Sequence, residues 1–283
     1  MDSTGLTKVH PEVSRADEVH TYRLQSEAGM YECSVSALRW VCKERVSFRY
    51  QFRSWQEHTK KPLCMDYMPA GPLLDITVTA GEIEEVHLPH CIRMDQKSTL
   101  SDTFAVLHVD ACVDVMEQVP KVTTSHIKIL QPVFLPRGVM VRKKPGIPVY
   151  YDVLLYKTQK EFLTLDVYLV PRDPAIKQEV EQIQRSRGSI IMEKPGPDKV
   201  LQTGDHLSLG TDRAGAIIQP RTQDLRCDSS SFFEVFIRNA DSDFTLTLER
   251  EQNTVWTCTV HKGDPDAPYE SRQGLSEGYT VLE

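Results

Sequence analysis

The strongest constraint in this sequence is a repeated two-residue alternation in short runs rich in β-branched and aromatic residues. Leu165, Val167 and Leu169 alternate with Asp166, Tyr168 and Val170, and Phe244, Leu246 and Leu248 alternate with Thr245, Thr247 and Glu249. A period of two places alternate side chains on opposite faces of a strand, so each run sets one apolar face on a core. Similar runs rich in β-branched and aromatic residues occur at 19–25, 30–35, 38–43, 46–52, 74–79 and 103–110. Others occur at 126–131, 139–142, 149–157, 164–171, 189–193, 232–238, 244–251 and 254–261. Turn residues separate them at intervals of about 8–12 residues, the spacing of sandwich-like all-β folds.

One segment breaks this pattern. Asp173 can cap a helix whose first position is Pro174. Ile176, Val180 and Ile183 recur at helical spacing, and Gly188 can end the segment. Residues 173–187 are therefore expected to form one short amphipathic helix laid on a sheet. Residues 1–17 are polar and lack a periodic pattern, so they are expected to be loose. Residues 264–283 carry Asp-Pro, Ala-Pro and Gly punctuation with an acidic excess, and read as a solvated tail. Between residues 131 and 146, Pro132, Pro136, Pro145 and Gly138 stand among Arg137, Arg142, Lys143 and Lys144. Prolines are excluded from central strands, so this stretch reads as a junction between two β units.

Composition narrows the functional classes. A chain of 283 residues holds one large domain or two ordinary ones. The net charge of −7 argues against a general nucleic-acid binder, which needs a basic face to displace counterions. No apolar run approaches the roughly 18 residues a membrane span requires. Met1 is followed by Asp2, Ser3, Thr4 and Gly5, without the basic and apolar regions of a secretory signal. The seven cysteines, Cys33, Cys42, Cys64, Cys91, Cys112, Cys227 and Cys258, are odd in number and form no Cys-x-x-Cys pair. They read as reduced, mostly buried thiols of a cytosolic protein, and not as zinc ligands.

Familiar enzyme motifs are absent. There is no phosphate loop, no Gly-x-Ser-x-Gly elbow and no His-Glu-x-x-His. His87 and His90 form a His-x-x-His pair, but residues three apart on a strand face opposite ways, and Pro89 intervenes. They read as strand-end histidines satisfied by backbone. The pairs Tyr150–Tyr151 and Phe232–Phe233 read as core and sheet-surface residues. No metal and no cofactor are expected.

Several segments occur together in one order: "MPAGPLLDI" (68–76), "EEVHLPHC" (84–91), "FAVLHV" (104–109), "HIKILQPVFLPRGV" (126–139) and "VLLYKTQKEFLTLDVYLVPRD" (153–173). Over residues 18–263 the chain resembles the function-to-find domain (FIIND) of inflammasome sensors. That domain is a tandem of a zona-occludens/Unc-five-type subdomain and a UPA-type subdomain. The resemblance implies an all-β chain of two β-sandwich-like subdomains, 18–134 and 135–263, with the one helix in the second.

The resemblance also implies a reaction. Such tandems cut their own backbone at a Phe–Ser bond, with the serine as nucleophile, a histidine as base and an acid orienting it. The matching positions here are His108, Glu117, Phe134 and Leu135. Leucine offers no hydroxyl, thiol or amine, and removing the nucleophile of a triad costs on the order of 10⁶ in rate. Thr124 and Ser125 cannot substitute, because an acyl shift needs the nucleophile directly after the scissile bond. No self-cleavage is expected, and His108 and Glu117 then read as relics, the glutamate in a loop after the histidine strand.

The resemblance implies partners as well: other FIIND or UPA tandems, and cytosolic dipeptidyl peptidases that hold such tandems. From its length, the chain is expected to carry the tandem alone, without an ATPase domain before it or a caspase-recruiting bundle after it. The expected role is a non-enzymatic, cytosolic regulator or decoy in inflammasome control. The alternatives are a fragment of a larger sensor, a self-processing serine hydrolase, and an unrelated scaffold role.

Overall fold

Every alternating run in the sequence overlaps a strand. The computed structural model describes residues 5–16, 19–94, 101–110, 113–118, 121–132, 135–158, 162–197, 199–238 and 241–262. The chain divides into two units, Met1–Tyr150 with Arg172–Ile176, and Tyr151–Pro171 with Lys177–Glu283. The expected tail 264–283 lies outside the described residues.

The first unit holds β1 (Leu6–Val9), β2 (Glu12–Ala16), β3 (Val19–Ser26), β4 (Gly29–Cys33), β5 (Arg39–Cys42) and β6 (Val46–Arg53). It continues with β7 (Tyr67–Ala80), β8 (Glu85–Pro89), β9 (Phe104–His108), β10 (Val115–Gln118), β11 (His126–Leu130), β12 (Arg137–Arg142) and β13 (Pro148–Val149). One sheet runs β1-β4-β5-β8-β11 and the other β10-β9-β12-β7-β6-β3-β2. Aromatic residues fill the space between them. Trp40 of β5 donates its indole N–H to Ser26 Oγ at 2.9 Å and meets the Phe48 ring of β6 edge-on at 5.0 Å. Tyr50 stacks on Tyr22, its hydroxyl lies 3.2 Å from Cys33 Sγ, and burial pushes its phenol far up.

A second, smaller core lies on the other face of β9 and β12. Cys64, Leu107 and Met140 are buried there under Trp55 and Tyr67. Trp55 donates its indole N–H to the carbonyl of Gly71 at 3.0 Å, and its benzo edge lies against Gly138, where an added Cβ would come 2.2 Å from the ring. Gly71 itself touches the carbonyl of Pro89, which an added Cβ would approach to 2.3 Å. The glycine of the "GPLLDI" segment is thus required by close packing.

The second unit holds β14 (Tyr151–Thr158), β15 (Leu163–Pro171), α1 (Pro174–Ser186), β16 (Ile190–Met192), β17 (Leu201–Gln202) and β18 (His206–Thr211). It ends with β19 (Ile217–Gln219), β20 (Thr222–Asp224), β21 (Ser231–Ile237), β22 (Phe244–Arg250) and β23 (Asn253–Val260). Its sheets run β16-β14-β15-β21-β19 and β20-β18-β22-β23. The helix is where the cap and periodicity place it, with the Ala175 N–H donating to Asp173 Oδ1 at 2.8 Å. The buried Gln184 of α1 donates to Asp166 and to the Tyr168 hydroxyl of β15, fixing the helix on that sheet. The chain is an all-β tandem of sandwich-like subdomains, with one α-helix among the described residues.

Two expectations are corrected. Residues 1–17 are not simply loose, because β1 pairs in parallel with β4, and β2 pairs with β3. Both are edge strands, and all of β2 is exposed, so neither needs the apolar alternation that marks a strand in sequence. The boundary also does not fall after Phe134. β12, which follows that position, is buried in the first unit between β9 and β7, and the division comes at Tyr150. The prolines that suggested a junction flank β12 without entering it: Pro136 stands just before the strand and Pro145 just after it.

Candidate functional site

The site is built on three adjacent strands. β9 ends at His108, which lies opposite Val115 of β10 on one side and Arg137 of β12 on the other. Glu117 pairs with Val106, two residues before His108, so the glutamate and the histidine are diagonal neighbours on one face. His108 Nε2 lies 2.7 Å from Glu117 Oε2. Glu117 is therefore a strand residue, not the loop residue its surroundings suggested. The hairpin between β9 and β10 brings the two together despite nine positions of separation.

The electrostatics favour a neutral imidazole. Burial and the neighbouring Arg137 charge hold His108 below its ordinary value, against the opposing pull of Glu117. A neutral histidine oriented by a carboxylate is the form a general base requires. The position that the resemblance assigns to the nucleophile holds a leucine. Leu135 stands half-buried two residues before Arg137, and the carbonyl of Pro136 accepts the Val109 N–H at 2.8 Å. The ladder beside His108 thus extends to the residue after Leu135. Phe134 lies outside the described residues.

Ser125 and Thr124 belong elsewhere. They precede β11 in the other sheet, where Ser125 Oγ bonds His126 Nδ1 at 2.8 Å and the Ser125 carbonyl accepts the His90 N–H. His87 and His90 are likewise structural: His87 Nε2 meets Glu85 at 3.2 Å, and His90 Nε2 meets the Thr123 carbonyl at 3.0 Å. Among the described residues, no group of three His, Cys, Asp or Glu side chains is arranged to hold a metal ion. No helix among them is long and apolar enough to cross a membrane.

Two features were not read from the sequence. Arg137 is 5% exposed, and its Nε has no hydrogen-bond partner. Burial holds its guanidinium below the usual range, with Glu117 opposing. Its position at alternate spacing within an apolar strand was the available signal. The other feature is the buried Asp114, whose Oδ2 accepts from Lys61 at 2.5 Å and lies 3.2 Å from His58 Nδ1. Burial alone would raise that carboxyl, but Lys61 and His58 together hold it low. This triad ties the Trp55-bearing loop down beside the β9–β10 turn.

Comparisons with known proteins agree with this architecture. A family model described as "Function to find" matches residues 15–147, and one described as the UPA-FIIND domain matches 149–260. The junction between them lies beside the structural division at Tyr150. NACHT, LRR and PYD domains-containing protein 1 homolog of Danio rerio is 29% identical over 264 residues, covering 92% of this chain and 19% of that protein. NACHT, LRR and PYD domains-containing protein 1a of Mus musculus is 28% identical over 261 residues, covering 87% of this chain and 22% of that protein. The chain thus spans about a fifth of the length of these relatives. By both halves of its β tandem, the chain belongs to the function-to-find (FIIND) family.

Proposed function

We propose that this chain is a non-enzymatic FIIND interaction module of inflammasome signalling that does not cut itself and acts as a regulator or decoy. The observation that carries this reading is Leu135. It occupies the nucleophile position beside an otherwise assembled His108–Glu117 pair, and its side chain cannot attack a carbonyl. Without the cut, no fragment is released for signalling, and binding remains the available activity. Its proposed partners are other FIIND or UPA tandems and cytosolic dipeptidyl peptidases, and its proposed location is the cytosol. The edge strands β2 and β10 offer unpaired backbone groups for strand addition. The test is capture with the tagged chain against a full-length sensor tandem and against the peptidases. Retention of either supports the reading, and binding to neither sinks it.

A second reading, that the sequence is a piece of a longer sensor, is favoured by the fifth of the relatives' length that it spans. Mapping the transcript ends distinguishes the two.

A further inference from the structure

Among the described residues, the second half of β3 has a strand partner on one side alone. β2 pairs with β3 only from Glu12, opposite Arg23, to Ala16, opposite Val19. Before Glu12 the chain turns away to β1, where Val9 pairs with Cys33 in the other sheet. Leu24 to Ser26 therefore have β6 on one side and no strand on the other. A pocket of about 450 Å³ opens there, lined by Val9, His10, Glu12, Arg23, Gln25 and Arg49 among others.

The charges in this pocket are unusual. Arg23 and Arg49 lie directly opposite each other on the antiparallel β3–β6 pair. Tyr22, Leu24, Phe48 and Tyr50 between them are buried, so both arginines stand on the solvent face. Like charges directly across a strand pair are destabilising. Nearby arginines are matched: Arg45 with Glu27 at 3.6 Å and Arg53 with Asp75 at 2.6 Å. Arg23 and Arg49 form no ion pair among the described residues. Glu12 is the one acid in the pocket wall, and it bridges neither. His10 is held at the rim by Ser34 Oγ, 2.8 Å from its Nδ1. The pocket is thus locally cationic in a chain of net charge −7.

We propose that this pocket binds a small soluble phosphate-bearing molecule, with its phosphate held between the Arg23 and Arg49 guanidinium groups. Two guanidinium forks balance the charge of a phosphate dianion, and charge-assisted bonds of this kind are the strong ones. The anion relieves the repulsion that the sheet register imposes on the pair. The volume lies within the range of small-molecule sites and exceeds what one phosphate fills. The polar wall of Gln25, Ser47 and Thr79 receives the remainder of the molecule.

The test is thermal unfolding and calorimetry of the full chain in chloride buffer at matched ionic strength. Inorganic phosphate, pyrophosphate and a nucleoside triphosphate serve as probes. Pyrophosphate and the triphosphate are expected to raise the midpoint, with inorganic phosphate weaker, which separates a larger phosphorylated ligand from the free ion. Arg23→Gln and Arg49→Gln each weaken binding about tenfold or more, the loss of one strong charge-assisted contact. Both side chains are exposed, and circular dichroism verifies the fold of each variant. Glu12→Gln removes the pocket's carboxylate and tightens binding. No shift beyond the chloride control, an unchanged affinity in the double arginine variant, or weaker binding by Glu12→Gln overturns the proposal.

Discussion

Val109 donates its backbone N–H to the carbonyl of Pro136 at 2.8 Å, so the ladder between β9 and β12 runs past both strand ends to the residue after Leu135. β12 is bonded on its other side to β7. A cut between positions 134 and 135 would leave β12 inside the first unit's sheet, held by ladders on both flanks. The resting site and the cohesion of the tandem are therefore one feature of the sheet.

Placing a hydroxyl at position 135 tests whether the His108–Glu117 pair can support a cut. Leu135→Ser is expected to cut itself into pieces of 134 and 149 residues that separate on a denaturing gel. The two are expected to co-elute on a native sizing column, because β12 keeps its partners. Adding His108→Gln to that background slows the cut on the order of 10²–10⁴-fold, the usual contribution of a general base.

Gly138→Ala probes the second core. Its Cβ would lie 2.2 Å from the Trp55 ring, so the indole has to move and its bond to the Gly71 carbonyl is lost. Destabilisation of about 1–3 kcal/mol is expected from such overpacking. Urea unfolding measures it, and a shift in tryptophan emission reports the moved ring. Trp55→Leu in the same chain is expected to reduce the added cost of the alanine.

Strands, the helix and the candidate pair were legible where local pattern and burial coincide. The β22 run alternates because one of its faces is on a core, whereas β15 is buried on both faces, its Asp166 and Tyr168 lying under Gln184 of α1. The Asp173–Pro174 cap fixes the start of α1. The N-terminal strands were hidden because an exposed edge strand such as β2 needs no apolar face. The unit boundary was hidden because its cause is tertiary: β12 crosses into the sheet of β7 and β9, and the prolines around it resemble a linker. Arg137 was hidden for a similar reason, since only the register shows it opposite His108.

Asp173 carries a pH signature. It is fully buried, and burial pushes its carboxyl up to about 6, against the helix N–H groups of Ala175 and Ile176 that favour the anion. A folded value raised above the unfolded one destabilises the fold as pH rises from about 4 to above 6, by roughly 3 kcal/mol. Asp173→Asn keeps a capping oxygen and removes the ionisation. The variant is expected to melt higher than the parent at pH 7.5 and to lose that advantage near pH 4, as calorimetry across this range will show.

Two buried histidines act in the opposite sense. Burial lowers His90 and His126 to about 4, and His126 is satisfied while neutral by the Ala37 carbonyl at 2.8 Å and Ser125 Oγ. A depressed folded value gives stability that is complete above pH 6.5 and is lost as pH falls towards 4, by roughly 3 kcal/mol per group. His126→Gln is expected to be less stable than the parent at pH 7 and to lose less on acidification. Urea midpoints at pH 7 and pH 4.5 check both signs.

The central claim is that Leu135 silences an otherwise assembled site. Intact mass spectrometry of the expressed, untreated protein tests it most directly. A single species at the full 32.3 kDa is the expected result. A pair of fragments of 134 and 149 residues would contradict it.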